Sequence, residues 1–226
     1  MFRLFLFDID GTLISTDGAG VKAFAQVCDE VFGLPGATAH FTFAGRTDLA
    51  LVREIFERND VEPTRENIAK FQKAYLERLP KWMPAESHEP LPGVHQWLKE
   101  LPDIFPEMAL GLLTGNLRSG AEIKLSHYGL WNRFQFGAFG GETIDRNEVA
   151  RQALTEGREL IRGLQPEEVL VIGDTQRDVE CARSIGAKVL AMATGPMSVA
   201  ELSALKPDWV AEDLAHFLPR DLFQQE

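Results

Sequence analysis

Two carboxylates stand two residues apart near the start of the chain, in Asp8-Ile9-Asp10-Gly11-Thr12. In an extended segment residues i and i+2 point to the same side. Two carboxylates held together repel, and a cation relieves that repulsion. Their hard oxygens suit Mg2+, which keeps several waters and takes one or two carboxylates plus substrate phosphate. Asp-x-Asp-Gly is also a common solvated turn. A second acidic pair lies in Gly173-Asp174-Thr175-Gln176-Arg177-Asp178. Asp174 and Asp178 share a face if a helix starts there, although capping of that helix is the plainer use of such residues. Thr114-Gly115-Asn116 offers a hydroxyl, a glycine-freed backbone and an amide, donors suited to a phosphoryl oxygen at a helix N-terminus. It also reads as an ordinary strand-to-helix turn. Arg146, in Thr143-Ile144-Asp145-Arg146-Asn147, is the candidate cation for a phosphoryl group, and otherwise a surface arginine.

These residues need strands to bring them together. Leu4 to Phe7, Met108 to Leu113, Phe136 to Phe139, Val169 to Ile172 and Val189 to Ala193 are short apolar runs, each followed by polar or glycine-containing residues. Such runs are what strands buried on both faces of a parallel sheet look like. Helical patterns separate most of them, which predicts a doubly wound α/β sheet. Val94, Trp97, Leu98 and Leu101 define one helix, expected to stop at Pro102. In open α/β sheets ligands sit beyond the carboxyl ends of the strands where strand order reverses, so Asp8, Thr114 and Asp174 are expected to converge.

The first crossover is too long for one helix. Between Thr12 and Pro90 there are three helical patterns: Val21 to Phe32, Leu49 to Phe56, and Ile68 to Leu79. A small all-helical insertion explains them better than a loop, with hinges near Thr16–Gly20 and Trp82–Pro92. In Gly45-Arg46-Thr47-Asp48, Thr47 or Asp48 caps the second of these helices. Arg46 is either solvated or reaches an anionic substrate.

Composition narrows the function classes. The chain has 226 residues, 45% of them apolar and 25% charged, with a formal net charge of -11. That fits a soluble core of one or two units and disfavours general nucleic-acid binding, which draws its affinity from Lys and Arg on phosphates. No run approaches the ~20 apolar residues of a membrane span. The N-terminal run reaches Asp8 too soon for a signal peptide. Cys28 and Cys181 cannot form a disulfide framework and are expected as buried thiols. The expected location is the cytoplasm.

Taken in order, these motifs resemble the haloacid dehalogenase superfamily, in its phosphoglycolate-phosphatase-like branch. Asp8-Ile9-Asp10-Gly11-Thr12 resembles the family's first motif, Thr114 its second, and Gly173-Asp174-Thr175-x-x-Asp178 its fourth. The likeness implies an α/β core of residues 1–15 plus 88–226 and a helical cap domain of residues 16–87. It implies Asp8 as a nucleophile that carries a phosphoryl group and Asp10 as general acid and base, with Gly11 and Thr12 supporting them. Mg2+ would be held by the Asp8 side chain, the Asp10 backbone carbonyl and Asp174. Thr114, Gly115, Asn116 and Arg146 would hold the phosphoryl oxygens, and Asp178 would orient Arg146 or a metal-bound water. Family dehalogenases lack the second acid, so Asp10 favours phosphoryl transfer. The family's third motif usually carries a lysine. By chain order neither Lys124 nor Lys188 fits, and Arg146 is the nearest equivalent. The implied substrate is a small phosphorylated metabolite, with phosphoglycolate a candidate, and the implied assembly a monomer or homodimer. A phosphomutase of the same superfamily, or a catalytically silent binding protein, are the alternatives.

Overall fold

The computed structural model describes residues 1–85 and 89–223. Six strands form one all-parallel sheet: β1 (Leu4–Phe7), β2 (Ala109–Thr114), β3 (Phe136–Phe139), β4 (Val169–Gly173), β5 (Lys188–Met192) and β6 (Trp209–Ala211). Their order is β3-β2-β1-β4-β5-β6. The chain therefore builds outward from β1 through β2 to β3, then returns to the other side of β1 with β4. Strand order reverses between β1 and β4, whose registers pair Phe7 with Ile172. The crevice between their carboxyl ends is the switch point of the sheet.

Alternation along β1 splits the core in two. Phe5 and Phe7 belong to one buried cluster, with Val94, Trp97, Leu98 and Leu101 of α4 (Val94–Ile104) and Ala121 and Leu125 of α5 (Arg118–His127). Leu4 and Leu6 belong to the other. Val149, Ala150 and Ala153 of α6 (Arg146–Leu160) join them there, with Val179 and Ala182 of α7 (Gln176–Ser184) and Leu202 of α8 (Val199–Ala204). This is the period-two pattern of a strand covered on both faces. Three helices occupy the first crossover, α1 (Ala19–Phe32), α2 (Asp48–Arg58) and α3 (Arg65–Trp82). Phe24 anchors them, with Phe43, Phe71 and Tyr75 rings at centroid distances of 5.4, 4.9 and 4.8 Å. The numbers Trp82–Pro92, expected as the second hinge, include residues 86–88, which lie outside the described residues, as does the expected boundary between 87 and 88. Both cysteines are buried free thiols, as expected from their sequence positions.

Two expectations need correction. β6 is an apolar run of only three residues, Trp209-Val210-Ala211, and was not anticipated. Pro102 does not stop α4, which continues to Ile104. A proline there leaves the carbonyl four residues earlier without its helical donor. That carbonyl belongs to Leu98, and the Arg133 Nη2 donates to it at 2.7 Å. The helix runs through the proline because a side chain from the loop after α5 replaces the missing N–H.

Arg133→Ala should therefore cost about 1–2 kcal/mol of stability, since it leaves the Leu98 carbonyl unpaired. In Pro102→Ala the same change should cost less, because the backbone N–H is restored. Urea unfolding of the two single variants and the double variant measures this coupling, and equal Arg133 effects in both backgrounds would remove the explanation.

Candidate active site

β1 and β4 deliver their acids to the same crevice. The Asp8 N–H donates to the Ile172 carbonyl at 2.9 Å, so the ladder holds Asp8 in place to its last residue. Asp8, Asp174 and Asp178 are buried, and each offers a carboxylate oxygen within 4.8 Å of the others. Asp174 lies against backbone where no side chain fits. A Cβ at Gly195 would come within 1.6 Å of its Oδ2, and one at Gly11, which also has φ +82°, within 2.4 Å. The Thr12 hydroxyl donates to Asp174 Oδ1 at 3.1 Å. Asp178 does cap a helix: its Oδ2 accepts from the Thr175 N–H at 3.0 Å and from the Thr175 hydroxyl at 2.7 Å. Its other oxygen faces the site. Capping and site chemistry are thus two uses of one carboxylate.

Arg146 stands at the first position of α6 and is buried. Its Nη2 lies 2.7 Å from Asp178 Oδ1 and 3.1 Å from Asp8 Oδ1. Its Nε has no hydrogen-bond partner among the described residues. Burial of a charge is tolerated only when it is paired, and Arg146 is paired with the candidate nucleophile itself. Asp178 does orient Arg146.

The end of β2 supplies a second cluster around Asp10. The Asn116 Nδ2 donates to Asp10 Oδ2 at 2.9 Å and to the Thr114 hydroxyl oxygen at 2.9 Å. Lys124 joins them, although its place in chain order had set it aside. Its Nζ donates to Asp10 Oδ2 at 2.6 Å and to Asn116 Oδ1 at 2.7 Å, and only 4% of the residue is exposed. Chain order put Arg146 in the place of the family's lysine, and it is Arg146 that stands beside Asp8, while Lys124 meets Asp10. Lys124 lies two helical turns beyond Leu117, and helical side chains lean toward the N-terminus of their helix. A signal was present in the sequence: Lys124 occupies the otherwise apolar stripe Leu117, Ala121, Lys124, Leu125.

α2 closes the top of the crevice. The Asp48 N–H donates to the Gly115 carbonyl at 2.7 Å, and the Asp48 carboxylate accepts from the Leu117 N–H at 2.7 Å. Gly115 serves this approach, since a Cβ there would meet the Arg46 carbonyl oxygen at 1.9 Å. Thr47 caps α2, accepting from the Ala50 N–H at 3.2 Å. Arg46 lines the cavity, and its Nη2 is ion-paired with Glu54. Asp48 was missed because a residue in the first turn of a helix has a sufficient local use. The enclosed cavity has a volume of about 350 Å³ and is lined by Asp8, Asp10, Arg46, Thr114, Lys124 and Asp174 among others.

The electrostatics ask for a cation. Burial pushes the Asp8 carboxyl up to about 6, with Arg146 opposing and Asp178 adding to the rise. Burial also pushes Asp174 up, to about 9, helped by Asp178 and then Asp8. Three carboxylates share one guanidinium here, and a divalent ion would let all three ionise. The donor set is all oxygen, as Mg2+ prefers. Asp8, Asp174 and Asp178 are the side chains whose oxygens meet. The Asp10 carboxylate is engaged by Lys124 and Asn116, leaving that residue its backbone carbonyl for the metal role expected of it.

Comparison with known proteins fits this arrangement. The family model described as haloacid dehalogenase-like hydrolase matches residues 5–192. A phosphoglycolate phosphatase of Synechococcus elongatus is 29% identical, over 97% of this chain and 94% of that protein. A pyrophosphatase, PpaX, of Bacillus cereus is 26% identical, over 95% of this chain and 94% of that protein. The crystal structure of a hydrolase from Pseudomonas syringae superposes with a TM-score of 0.75 at 21% identity, covering all of both chains. The chain belongs to the haloacid dehalogenase-like hydrolase family. It is an enzyme of that hydrolase class. Among the described residues no helix is long and apolar enough to cross a membrane.

The raised acids make a signed prediction. With folded values above the ordinary 3.8, Asp8 and Asp174 keep protons that the unfolded chain has lost. Stability of the metal-free fold should then fall as pH rises from about 4 to about 9. Asp174→Asn should flatten that slope and raise the metal-free melting temperature at pH 8. Mg2+ should raise the melting temperature of the native chain more at pH 8 than at pH 5, and should do little for Asp174→Asn. Thermal unfolding with EDTA or Mg2+ at the two pH values reads all three, and a steep slope surviving in Asp174→Asn would remove the electrostatic account.

Proposed function

We propose that the protein is a Mg2+-dependent phosphohydrolase that cleaves small phosphomonoesters through a phosphoryl group carried on Asp8. The observation that carries this reading is the position of Asp8 at the switch point of the sheet, 3.1 Å from Arg146 and beside Asp174 and Asp178. A carboxylate so placed is a nucleophile with its counter-charges already assembled. The names of the relatives, phosphoglycolate phosphatase and pyrophosphatase, agree in hydrolysis at phosphorus and differ in the bond, an ester in one and an anhydride in the other.

In this mechanism an Asp8 oxygen attacks phosphorus and the bond from phosphorus to the alcohol oxygen breaks. Asp10 gives its proton to that leaving oxygen. Asp10 then takes a proton from water, whose oxygen attacks the phosphoryl group on Asp8, and the Asp8–phosphorus bond breaks. Phosphate leaves, Asp8 is regenerated and Asp10 is protonated again. Lys124 and Asn116 fix the aim of Asp10. Arg146 and Thr114 hold phosphoryl oxygens, and Asp178 keeps Arg146 in place. Mg2+, held by Asp8, Asp174 and the Asp10 carbonyl, supplies the positive charge that lets an anionic nucleophile meet an anionic phosphate.

Residues 16–87 act as a cap over a core made of 1–15 and 88–226. Asp17 and Gly18, at φ 50° and 75°, form its entry hinge. Closure of α2 onto the loop after β2 excludes water from the phosphoryl intermediate. The substrate is a small phosphorylated metabolite, the setting is cytoplasmic, and the acidic surface keeps nucleic acid out.

Phosphate release from a panel of small phosphomonoesters, with and without Mg2+, tests the reading. Asp8→Asn should lower kcat by at least about 10³-fold while leaving the fold intact. Release within tenfold of the native chain would sink the mechanism. Asp10→Asn should lose most on esters with poor leaving groups, and an equal loss on all esters would remove its acid role. Lys124→Met should show that same leaving-group dependence through Asp10, whereas Arg146→Met should lower turnover of all esters alike. Isomerised sugar phosphate without free phosphate would instead identify a mutase.

A further inference from the structure

The two walls of the cavity differ in kind. The core wall carries the acids, Lys124 and Arg146. The opposite wall, from α1 to α3 and the segment between α1 and α2, presents Val21, Phe24, Phe43, Leu51 and Tyr75. Phe24 stands edge-on to Phe43 and Tyr75, with ring centroids 5.4 and 4.8 Å away. Only two charged side chains line that wall, Arg46 and Asp48. Asp48 is committed to the Leu117 N–H at 2.7 Å and brings a carboxylate, not a cation.

The cations that line the cavity are Arg46, Lys124 and Arg146. Lys124 is engaged by Asp10, and Arg146 by Asp8 and Asp178. These two stand where a phosphoryl group reacts. A second anionic group on the substrate has only Arg46 to meet it, and Arg46 is ion-paired with Glu54 one helical face away on α2. Glu54 is held in turn by Arg58, whose guanidinium lies 4.5 Å from the centre of the Phe41 ring. The pair is anchored from both sides. An anion entering this wall would compete with Glu54 for the charge of Arg46 and would lie near the Asp48 carboxylate, an unfavourable place for a second negative group.

We propose that this site selects phosphomonoesters of uncharged alcohols with an apolar body, and that Glu54 sets the selection by neutralising Arg46, the cation a second anionic group would otherwise meet. The inference rests on the phosphohydrolase reading above and fixes its substrate class. Glu54 is a positioning residue: it acts through Arg46 and not on the reacting atoms. Val21 and Phe43, the residues of that wall with accessible surface, supply affinity for the alcohol through burial of its apolar surface, backed by the buried Phe24, Leu51 and Tyr75. A carboxylate or second phosphate in that place is disfavoured, so the substrate differs from phosphoglycolate and from pyrophosphate.

The test compares 2-phenylethyl phosphate, phosphoglycolate and inorganic pyrophosphate as substrates, with Mg2+. The native chain should show a kcat/KM about tenfold or more higher for 2-phenylethyl phosphate than for phosphoglycolate or pyrophosphate, each of which brings a second anionic group. Glu54→Gln should raise the ratio of phosphoglycolate to 2-phenylethyl phosphate by about tenfold, through a lower KM for phosphoglycolate. The double variant Glu54→Gln/Arg46→Met should lose that gain, which a merely structural role of Glu54 would not produce. In the native chain alone, 2-phenylethylphosphonate should compete better than phosphonoacetate, a measurement that does not need any variant to fold. Preference of the native chain for phosphoglycolate, or a ratio unmoved by Glu54→Gln, overturns the selection while leaving the phosphohydrolase reading intact. No phosphate release from any ester overturns both.

Discussion

Everything in this structure is arranged around one electrostatic problem, the burial of three carboxylates in a crevice with a single guanidinium between them. Asp8 comes from one segment and Asp174 and Asp178 from another, the turn from β4 into α7, and local structure alone could not bring Asp8 to the other two. The parallel sheet solves this by placing β1 beside β4, so that two acids emerge side by side where strand order reverses. The penalty for burying them is visible in the raised Asp8 and Asp174 carboxyls. A site that resists ionisation when empty of cations is one that gains from binding them, because ligand affinity and the relief of repulsion are the same free energy.

The surrounding backbone gives way to these acids. Gly11 and Gly195 sit where any side chain would collide with Asp174, and Gly173 does the same for Asp178, where a Cβ would fall 2.2 Å from the carboxyl carbon. These positions leave no room for adjustment, which holds the acids to one geometry. On the other side of the crevice the contacts are of a different character. α2 docks through backbone groups, the Asp48 N–H on the Gly115 carbonyl at 2.7 Å and the Leu49 N–H on the Gly140 carbonyl at 3.3 Å. Few apolar side chains are needed for such a junction, so it is suited to opening and closing more readily than a packed core.

Much of this was legible in the sequence because strands and motifs are local. The five apolar runs became β1 to β5, and the three helical patterns became α1 to α3. Each acid fell at a strand end, as its flanking glycine or threonine suggested. What was not legible depends on helix phase or on tertiary partners. Lys124 was set aside by order along the chain, and its contact with Asp10 depends on helix phase, since a residue seven positions after Leu117 lies two turns on along the same face. Pro102 looked like a stop because the donor that rescues the Leu98 carbonyl, Arg133, is 35 residues away. β6 is apolar but only three residues long, too short a run to be read as a strand before its pairing with Leu190, Ala191 and Met192 is known. Arg46 could be read as a substrate contact or as solvated, and its ion pair with Glu54, eight residues on, lay in neither reading.

The two cations of the core wall divide the chemistry between the two acids. Arg146 is buried against Asp8 and Asp178, a fixed counter-charge that stays put whether or not a phosphoryl group is present. Lys124 meets Asp10, whose side chain is 41% exposed, and shares it with the Asn116 amide. An arginine that cannot lose its proton suits the first position, where only charge is needed. A lysine, a compact charge on a flexible stem, suits the second, where in the proposed mechanism the acid changes its protonation twice in each turnover and its neighbour must accommodate both states. An arginine beside the proposed nucleophile and a lysine beside the proposed acid thus match fixed charge to the one and mobility to the other.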